Sequence, residues 1–359
     1  MGRLQILSAT DQVVAHLRKE LSIGTWRGKM PGAERLAREL GVGRETMDCA
    51  LHELETEGWL VNQGRRRGRL VQVSEGELAI PSLRLAILDY DPPAKSDPYM
   101  IELLYLLLEA GHSAFFSKKS LMELKMDASQ VARLVNDTPA DAWVVGAGSR
   151  GIVEWFARQP LPAFAMFGRR RGLPIAGVGP NKEPAIKAAV RTLLGLGHQR
   201  IVMLTRQERR LPEPGAAERA FLTEIAAHGI VPSSYNLPEW DDTVEGLYDT
   251  LGALFQFTPP TALIVDEAHV VTAALQFCGN RGLRVPQDVS LVCTDPHPAF
   301  AWCRPTVAHI RWDPAPVLRR VLRWSDNVAR GKNDNRQTFT KAEFVEGGTI
   351  GPAPGKLNR

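Results

Sequence analysis

Residues 261–293 read TALIVDEAHVVTAALQFCGNRGLRVPQDVSLVC. Two short apolar runs, Ala262–Val265 and Val289–Cys293, flank a segment, Ala268–Arg281, whose length and pattern suit a helix. A strand apolar at every position is buried on both faces, and a crossover helix makes the next strand parallel to it. The same alternation runs back towards the amino terminus. Further short runs lie at Leu85–Leu88, Ser113–Phe116, Ala142–Val145, Ala163–Phe167 and Ile201–Leu204. Helical segments at Tyr99–Ala110, Pro184–Leu196, Glu218–His228 and Val244–Phe257 separate them. The fold class is α/β, with parallel sheets covered on both faces. About 275 residues from Arg84 onward exceed one compact layer, so two lobes are expected.

Hydrophobic residues make up 44% and charged residues 23% of the 359-residue chain, which excludes wholesale disorder. The longest apolar run, Leu103–Leu108, falls far short of the roughly 20 residues that span a bilayer. No signal-peptide stretch precedes Asp11, so a cytoplasmic location and no membrane partner are expected. Cys49, Cys278, Cys293 and Cys303 show no Cys-x-x-Cys spacing, and they read as reduced thiols rather than a disulfide frame or a zinc site.

Positive charge concentrates at the amino end. Residues 1–73 hold 12 Lys and Arg against 9 Asp and Glu, and Arg65, Arg66, Arg67 and Arg69 fall within five positions. Such a patch suits a polyanion. Ser8 and Asp11 form a capping-box pattern, and Val14, Leu17 and Leu21 follow at helical spacing. A second helix is expected over Ala33–Leu40, a turn at Gly41, and a third helix over Arg44–Glu57. Strands at Trp59–Asn62 and Arg69–Val73 then flank a polar turn. That order is a winged helix-turn-helix, assigned here to residues 1–73.

On Met30-Pro31, Leu36-Ala37, Glu39-Leu40-Gly41-Val42, Arg44, Thr46, Ala50-Leu51, Leu54, Glu57-Gly58 and Gly64…Gly68, this segment resembles the GntR family of bacterial transcription regulators. The resemblance implies operator DNA as partner, with Arg44, Glu45 and Thr46 at base edges and Arg65, Arg66, Arg67 and Arg69 on the backbone or in the minor groove. The chain departs from the family pattern at Gly32-Ala33-Glu34, at Gly43 where a serine is usual, and at Asp48 where a basic residue is common.

Residues 74–83 break the periodicity, carry Pro81 and read as a linker to a third segment, 84–359. On Gly195-Leu196-Gly197-His198-Gln199-Arg200-Ile201, Thr261–Val265, Gly282–Val292, Asp295 and Pro305-Thr306, this segment resembles the LacI/GalR-type effector domain, itself similar to periplasmic sugar-binding proteins. The resemblance implies two lobes, chain crossings near 177–184, 299–305 and the carboxyl end, homodimers, and a small sugar-like effector in the cleft. Strand-end loops nominate Asp89, Asp97, Tyr99, Ser149, Arg150, Asp266, Asp295 and Trp302 as ligand contacts. Of these, Asp295 occupies a position the family uses for ligand, and Tyr99 matches its aromatic. Ala217 stands where the family has a gripping arginine, and Glu267-Ala268 where Asn-Asp is usual.

Enzyme readings are weaker. Gly146-Ala147-Gly148-Ser149-Arg150-Gly151 fits G-x-G-x-x-G, and Arg169-Arg170-Arg171 stands near the expected ribose partner, which makes an NADP-dependent redox sensor or oxidoreductase the alternative. No zinc-hydrolase histidine spacing and no nucleophile elbow occur, so no catalytic residue, metal or cofactor is assigned. The reading is a ligand-responsive transcription regulator.

Overall fold

The computed structural model describes residues 8–22, 25, 26, 28–64, 68–72, 81–93 and 97–355. Contacts divide the chain into a unit built on Met1–Ser82 and one built on Leu83–Val328 and Asn333–Arg359.

The first unit has α1 (Ala9–Ser22), α2 (Ala33–Leu40), α3 (Arg44–Thr56), β1 (Leu60–Asn62) and β2 (Arg69–Val71). The capping box closes reciprocally: Asp11 N–H donates to Ser8 Oγ at 3.1 Å, and Ser8 N–H to Asp11 Oδ2 at 3.0 Å. Gly41 ends α2 in the left-handed region, φ 67°, where a side chain would be strained. Leu17, Leu21, Leu36, Met47, Leu51 and Leu54 form the core. The hairpin pairs antiparallel, and the extended stretch at Lys29 bridges β2 through Leu70, so the wing has a third short rung.

In the second unit β3 (Arg84–Leu88), β4 (Ser113–Phe116), β5 (Ala142–Gly146), β6 (Ala163–Met166) and β7 (Ala176–Asn181) make one parallel sheet. Its helices are α4 (Pro98–Glu109), α5 (Ala128–Asp137) and α6 (Arg150–Ala157). Next come α7 (Glu183–Gly195), β8 (Ile201–Leu204), α8 (Gln207–Arg210), α9 (Ala216–Ala227), α10 (Val244–Phe257), β9 (Ala262–Val265), α11 (Ala268–Asn280), β10 (Ser290–Cys293) and β11 (Ala308–Trp312). The chain closes with α12 (Pro314–Ala329) and β12 (Gln337–Val345).

Successive residues of these strands are buried on alternate faces of the sheet. Leu85, Ile87 and Val144 face Met100, Leu103 and Leu107 of α4 and Val317, Val321 and Trp324 of α12. Ala86, Leu88, Trp143 and Val145 face α5 and α6 on the other side. The second lobe repeats this, with Val202, Leu263 and Leu291 against α10 and α11. Two covered faces explain runs without polar positions.

β12 joins the lobes. Its residues Gln337–Lys341 pair parallel with β7, and Ala342–Val345 pair antiparallel with β11. The sheet order is β4-β3-β5-β6-β7-β12-β11-β10-β9-β8. The chain crosses between lobes at 181–183, at 312–314 and within β12. The second crossing falls later than the expected 299–305, because β11 must first complete the second lobe's sheet beside β10.

His198 explains the Gly195–Ile201 motif. Its ring is fully buried between Thr261 Oγ1 and the Gly351 carbonyl, each at 2.9 Å, and burial pushes its pKa down, which favours the neutral imidazole. Trp324 is buried against Phe164, ring centroids 5.2 Å apart. We expect Trp324→Ala to cost about 3–5 kcal/mol by chemical denaturation, because the cavity cannot close against a sheet. A loss under about 1 kcal/mol would refute this packing role.

Candidate functional site

On the first unit, α3 buries Met47, Ala50, Leu51 and Leu54 and turns Arg44 and Glu45 to solvent, with Thr46 half-buried. Gly43 caps α3 with no side-chain hydrogen bond. Arg44 Nε lies 3.7 Å from Asp48 Oδ2, so the departure at Asp48 sets a carboxylate beside the expected base-reading cation. Arg69 is placed differently from the expectation. Its Nε donates to Glu55 Oε1, and both side chains are largely covered, so this arginine ties the wing to α3. Arg65, Arg66 and Arg67 lie outside the described residues.

In the second unit the parallel strands end on a common edge, where a cavity of about 1020 Å³ opens between the lobes. Asp89, Asp97, Tyr99, Arg150 and Asp295 line it. Three of the nominated residues are not brought to it. Trp302 is 89% exposed on a 3-10 turn, Pro298–Trp302, away from the lining. Ser149 stands at the amino end of α6, behind Gly148 and Arg150, which do line it. Asp266 is fully buried beneath the floor.

The floor is aromatic. Tyr99, Phe167 and Trp312 pack mutually, with centroids 5.3–5.7 Å apart. Tyr99 O–H donates to Asp97 Oδ2 at 2.7 Å; burial and then that carboxylate push its pKa well up, so it remains a neutral donor. Asp295 accepts from Trp312 Nε1 at 3.2 Å and Lys182 Nζ at 2.5 Å, with Thr294 Oγ1 3.1 Å away. Its carboxylate is thus held by side chains of both lobes.

Beneath this lies a charge network. Arg209 Nη1 donates to Asp266 Oδ1, Arg209 Nε lies 2.9 Å from Glu218 Oε1, and Thr294 Oγ1 donates to Asp266 at 2.8 Å. Burial alone would raise Asp266; Arg209 and then Arg206 outweigh it and hold the carboxyl well below the usual carboxylate range. Burial moves Glu267 the other way, upward, against Arg206 at 2.9 Å and with Asp266 and Asp295 adding repulsion. Glu267 sits at φ 53°, a costly backbone for a non-glycine residue and one that recurs at functional sites.

Contacts between the lobes cross the cavity directly. Tyr90 O–H donates to Asp242 Oδ2 at 2.6 Å, and the Arg206 guanidinium lies 4.1 Å from the Tyr90 ring centroid. Arg169 donates to the carbonyls of Arg209 and Glu213, both at 2.8 Å. Sequence reasoning missed Phe167, Lys182, Arg206, Arg209 and Trp312. Phe167 and Arg206 follow β6 and β8, strands the apolar runs announced, so the strand-end rule would have found them; Arg209 lies in the short helix α8, and Lys182 and Trp312 belong to the ends of β7 and β11, strands the apolar runs did not announce.

A model of bacterial regulatory proteins of the gntR family matches residues 9–70, and one of a periplasmic binding protein-like domain matches residues 190–350. The uncharacterized HTH-type transcriptional regulator in the aml 5′ region of Streptomyces limosus is 29% identical over 136 residues, 37% of this chain and 38% of that protein. The HTH-type transcriptional regulator reg1 of Streptomyces lividans is 25% identical over 199 residues, 51% of this chain and 54% of that protein. The chain spans about half or less of the length of these curated relatives. A solved LacI family transcriptional regulator from Enterococcus faecium with bound ribose shares the fold, with TM-score 0.58 at 14% identity over 75% of this chain and 98% of that one. None of these is described as an oxidoreductase, so the dinucleotide alternative is unsupported.

The charge network predicts its own sensitivity. Arg209→Met leaves Glu218 buried without its counterion and Asp266 without the nearer of its two arginines, and should cost about 3–5 kcal/mol in denaturant unfolding. Because the folded Asp266 pKa is depressed, its stabilisation is complete above the ordinary carboxylate range and is lost as pH falls through and below it. Wild type should therefore lose stability on acidification more steeply than Asp266→Asn. Equal acid slopes would refute the assignment.

Proposed function

The chain joins a gntR-family bacterial regulatory domain to a periplasmic binding protein-like domain, and from that pairing we propose a ligand-responsive transcription regulator. The observation that carries the proposal is one chain holding both a helix-turn-helix with an exposed α3 amino end and a lobed cavity floored by aromatic rings and a carboxylate. Arg44, Glu45 and Thr46 read base edges of operator DNA. Arg65, Arg66 and Arg67 contact its backbone. The protein acts in the cytoplasm as a homodimer on a pseudo-palindromic site, whose symmetry a two-fold dimer matches.

The effector is a small polyhydroxylated molecule. Aromatic faces cover the apolar face of a sugar ring, and carboxylates such as Asp89, Asp97 and Asp295 accept its hydroxyl hydrogen bonds. The ribose in the E. faecium structure is consistent with this chemistry. The effector changes DNA binding only by its differential affinity for two lobe arrangements. The Tyr90–Asp242 and Arg206–Tyr90 contacts belong to the closed one and break when the lobes part.

Two measurements test this. Full-length protein should bind duplex DNA in fluorescence anisotropy with affinity falling steeply as salt rises, and Asp48→Asn should tighten binding by removing a carboxylate that repels phosphate and holds Arg44. If protein lacking residues 1–73 binds DNA as tightly as the full chain, the DNA assignment fails. Asp295→Asn should weaken effector binding by about 10- to 100-fold in calorimetric titration, the scale of one charge-assisted hydrogen bond. Because that variant also leaves Lys182 without its partner, affinities are compared at a temperature where both proteins are folded.

A further inference from the structure

The cavity is not uniform in charge. Its lining joins the loop after β5, with Ala147, Gly148 and Arg150, to the loop after β6, with Phe167, Gly168, Arg169, Arg170 and Arg171. These loops touch: Arg169 N–H donates to the Gly148 carbonyl at 3.1 Å, and Arg150 Nη1 to the Arg171 carbonyl at 2.6 Å. A Cβ on Gly168 would lie 2.6 Å from the Gly148 oxygen, and Gly168 has φ 59°, so only glycine permits this approach.

Two of the arginines have no carboxylate partner among the described residues. Arg170 is 5% exposed, donates only to the carbonyls of Phe167 and Thr338, and has a buried Nε without an acceptor. Burial, then the neighbouring Arg171, pushes its pKa down to about 10. Room for it comes from Gly177, where a Cβ would lie 2.5 Å from its Cδ. Arg169 likewise donates only to carbonyls, though Glu218 and Glu213 lie near enough to act on its charge. Carbonyls satisfy hydrogen bonds but leave the formal charge unanswered. Beside them Arg150 is paired with Glu154 and Arg171 with Glu183. α6 begins in the first of these loops, with Gly148 and Arg150 on the cavity: Ser149 makes no capping hydrogen bond, and among the described residues no acceptor is found for the Arg150, Gly151 and Ile152 amides.

We propose that the Gly148–Ile152 turn together with Arg169 and Arg170 forms an anion subsite, so that the effector is a polyhydroxylated molecule carrying a phosphate or carboxylate group. This rests on the sensor reading above and narrows its ligand. Phe167 belongs to the aromatic floor and precedes Arg169 by two residues, so one ligand can stack on the floor and place its anionic group at the arginines. First-turn amides and guanidinium groups both favour an anion. The G-x-G-x-x-G pattern then marks a site for an acidic group rather than for a dinucleotide.

The test titrates full-length protein with inorganic phosphate and follows amide exchange by mass spectrometry in peptides covering residues 146–157. Phosphate should protect the α6 amino end, and the half-saturating concentration should rise about tenfold or more in Arg169→Gln and in Arg170→Met. Arg169 is half-exposed, so its variant remains informative if Arg170→Met fails to fold. Absence of protection, or equal protection in wild type and Arg169→Gln, overturns the subsite. Thermal shifts with glucose, glucose 6-phosphate and glucuronate distinguish the anion: a larger rise with the phosphate or the uronate supports the subsite and identifies its group. A rise with glucose at least as large as with either acid overturns it. Failure here leaves the regulator reading standing, because that reading is decided by DNA binding with and without residues 1–73.

Discussion

β12 hydrogen-bonds to β7 along its first part and to β11 along its second, and the placement of every cavity residue depends on this double pairing. Parallel strands within each lobe bring their carboxyl ends to one edge. A strand shared by both sheets then sets those two edges against each other. Asp89, Ala147, Phe167 and Lys182 come from one lobe; Arg206, Glu267 and Asp295 come from the other. No helix carries the aromatic floor alone: Tyr99 enters from α4, Phe167 from the end of β6 and Trp312 from the end of β11. This is the general rule that open α/β sheets bind ligands outside the strand ends, realised twice in one unit.

Electrostatics follows from that geometry. Loops converging from two sheets bring many charges into a partly desolvated space, where a charge without an answering partner is costly. The second lobe solves this internally, with Asp266, Glu218 and Glu267 set against Arg206 and Arg209. In the first lobe Arg169 and Arg170 donate hydrogen bonds only to carbonyls. The unequal solution is what gives the cavity a direction.

Much of the architecture was legible along the chain. The helices over 33–40 and 244–257 and the strands over 113–116, 201–204 and 262–265 have the bounds that periodicity implies, because burial on two faces or on one stripe writes directly into residue type. The strands β7, β11 and β12 were not read. β7 is AGVGPN, rich in glycine, and β12 is a polar strand, half-exposed, whose partners are β7 and β11. In the cavity, Asp89, Asp97, Tyr99, Arg150 and Asp295 were nominated from loop position and resemblance, while Trp302 was nominated the same way and lies exposed elsewhere. Loop position locates the backbone but not the direction of the side chain.

The sequence by itself determined most of the element types, the parallel sheets, the order of a helix-turn-helix before a lobed α/β domain, and the glycines on which tight turns depend. These are consequences of local pattern, since each residue's partners lie within a turn of helix or on the adjoining strand. Tertiary structure alone decided which charges meet. That Arg69 serves Glu55, that Asp266 lies under the floor holding Arg209, and that Lys182 reaches Asp295 across the cavity depend on contacts between residues 14, 57 and 113 positions apart. A carboxylate's role depends on how deeply it is buried and on which cation stands within hydrogen-bonding distance, and both quantities exist only once the sheets have closed on each other.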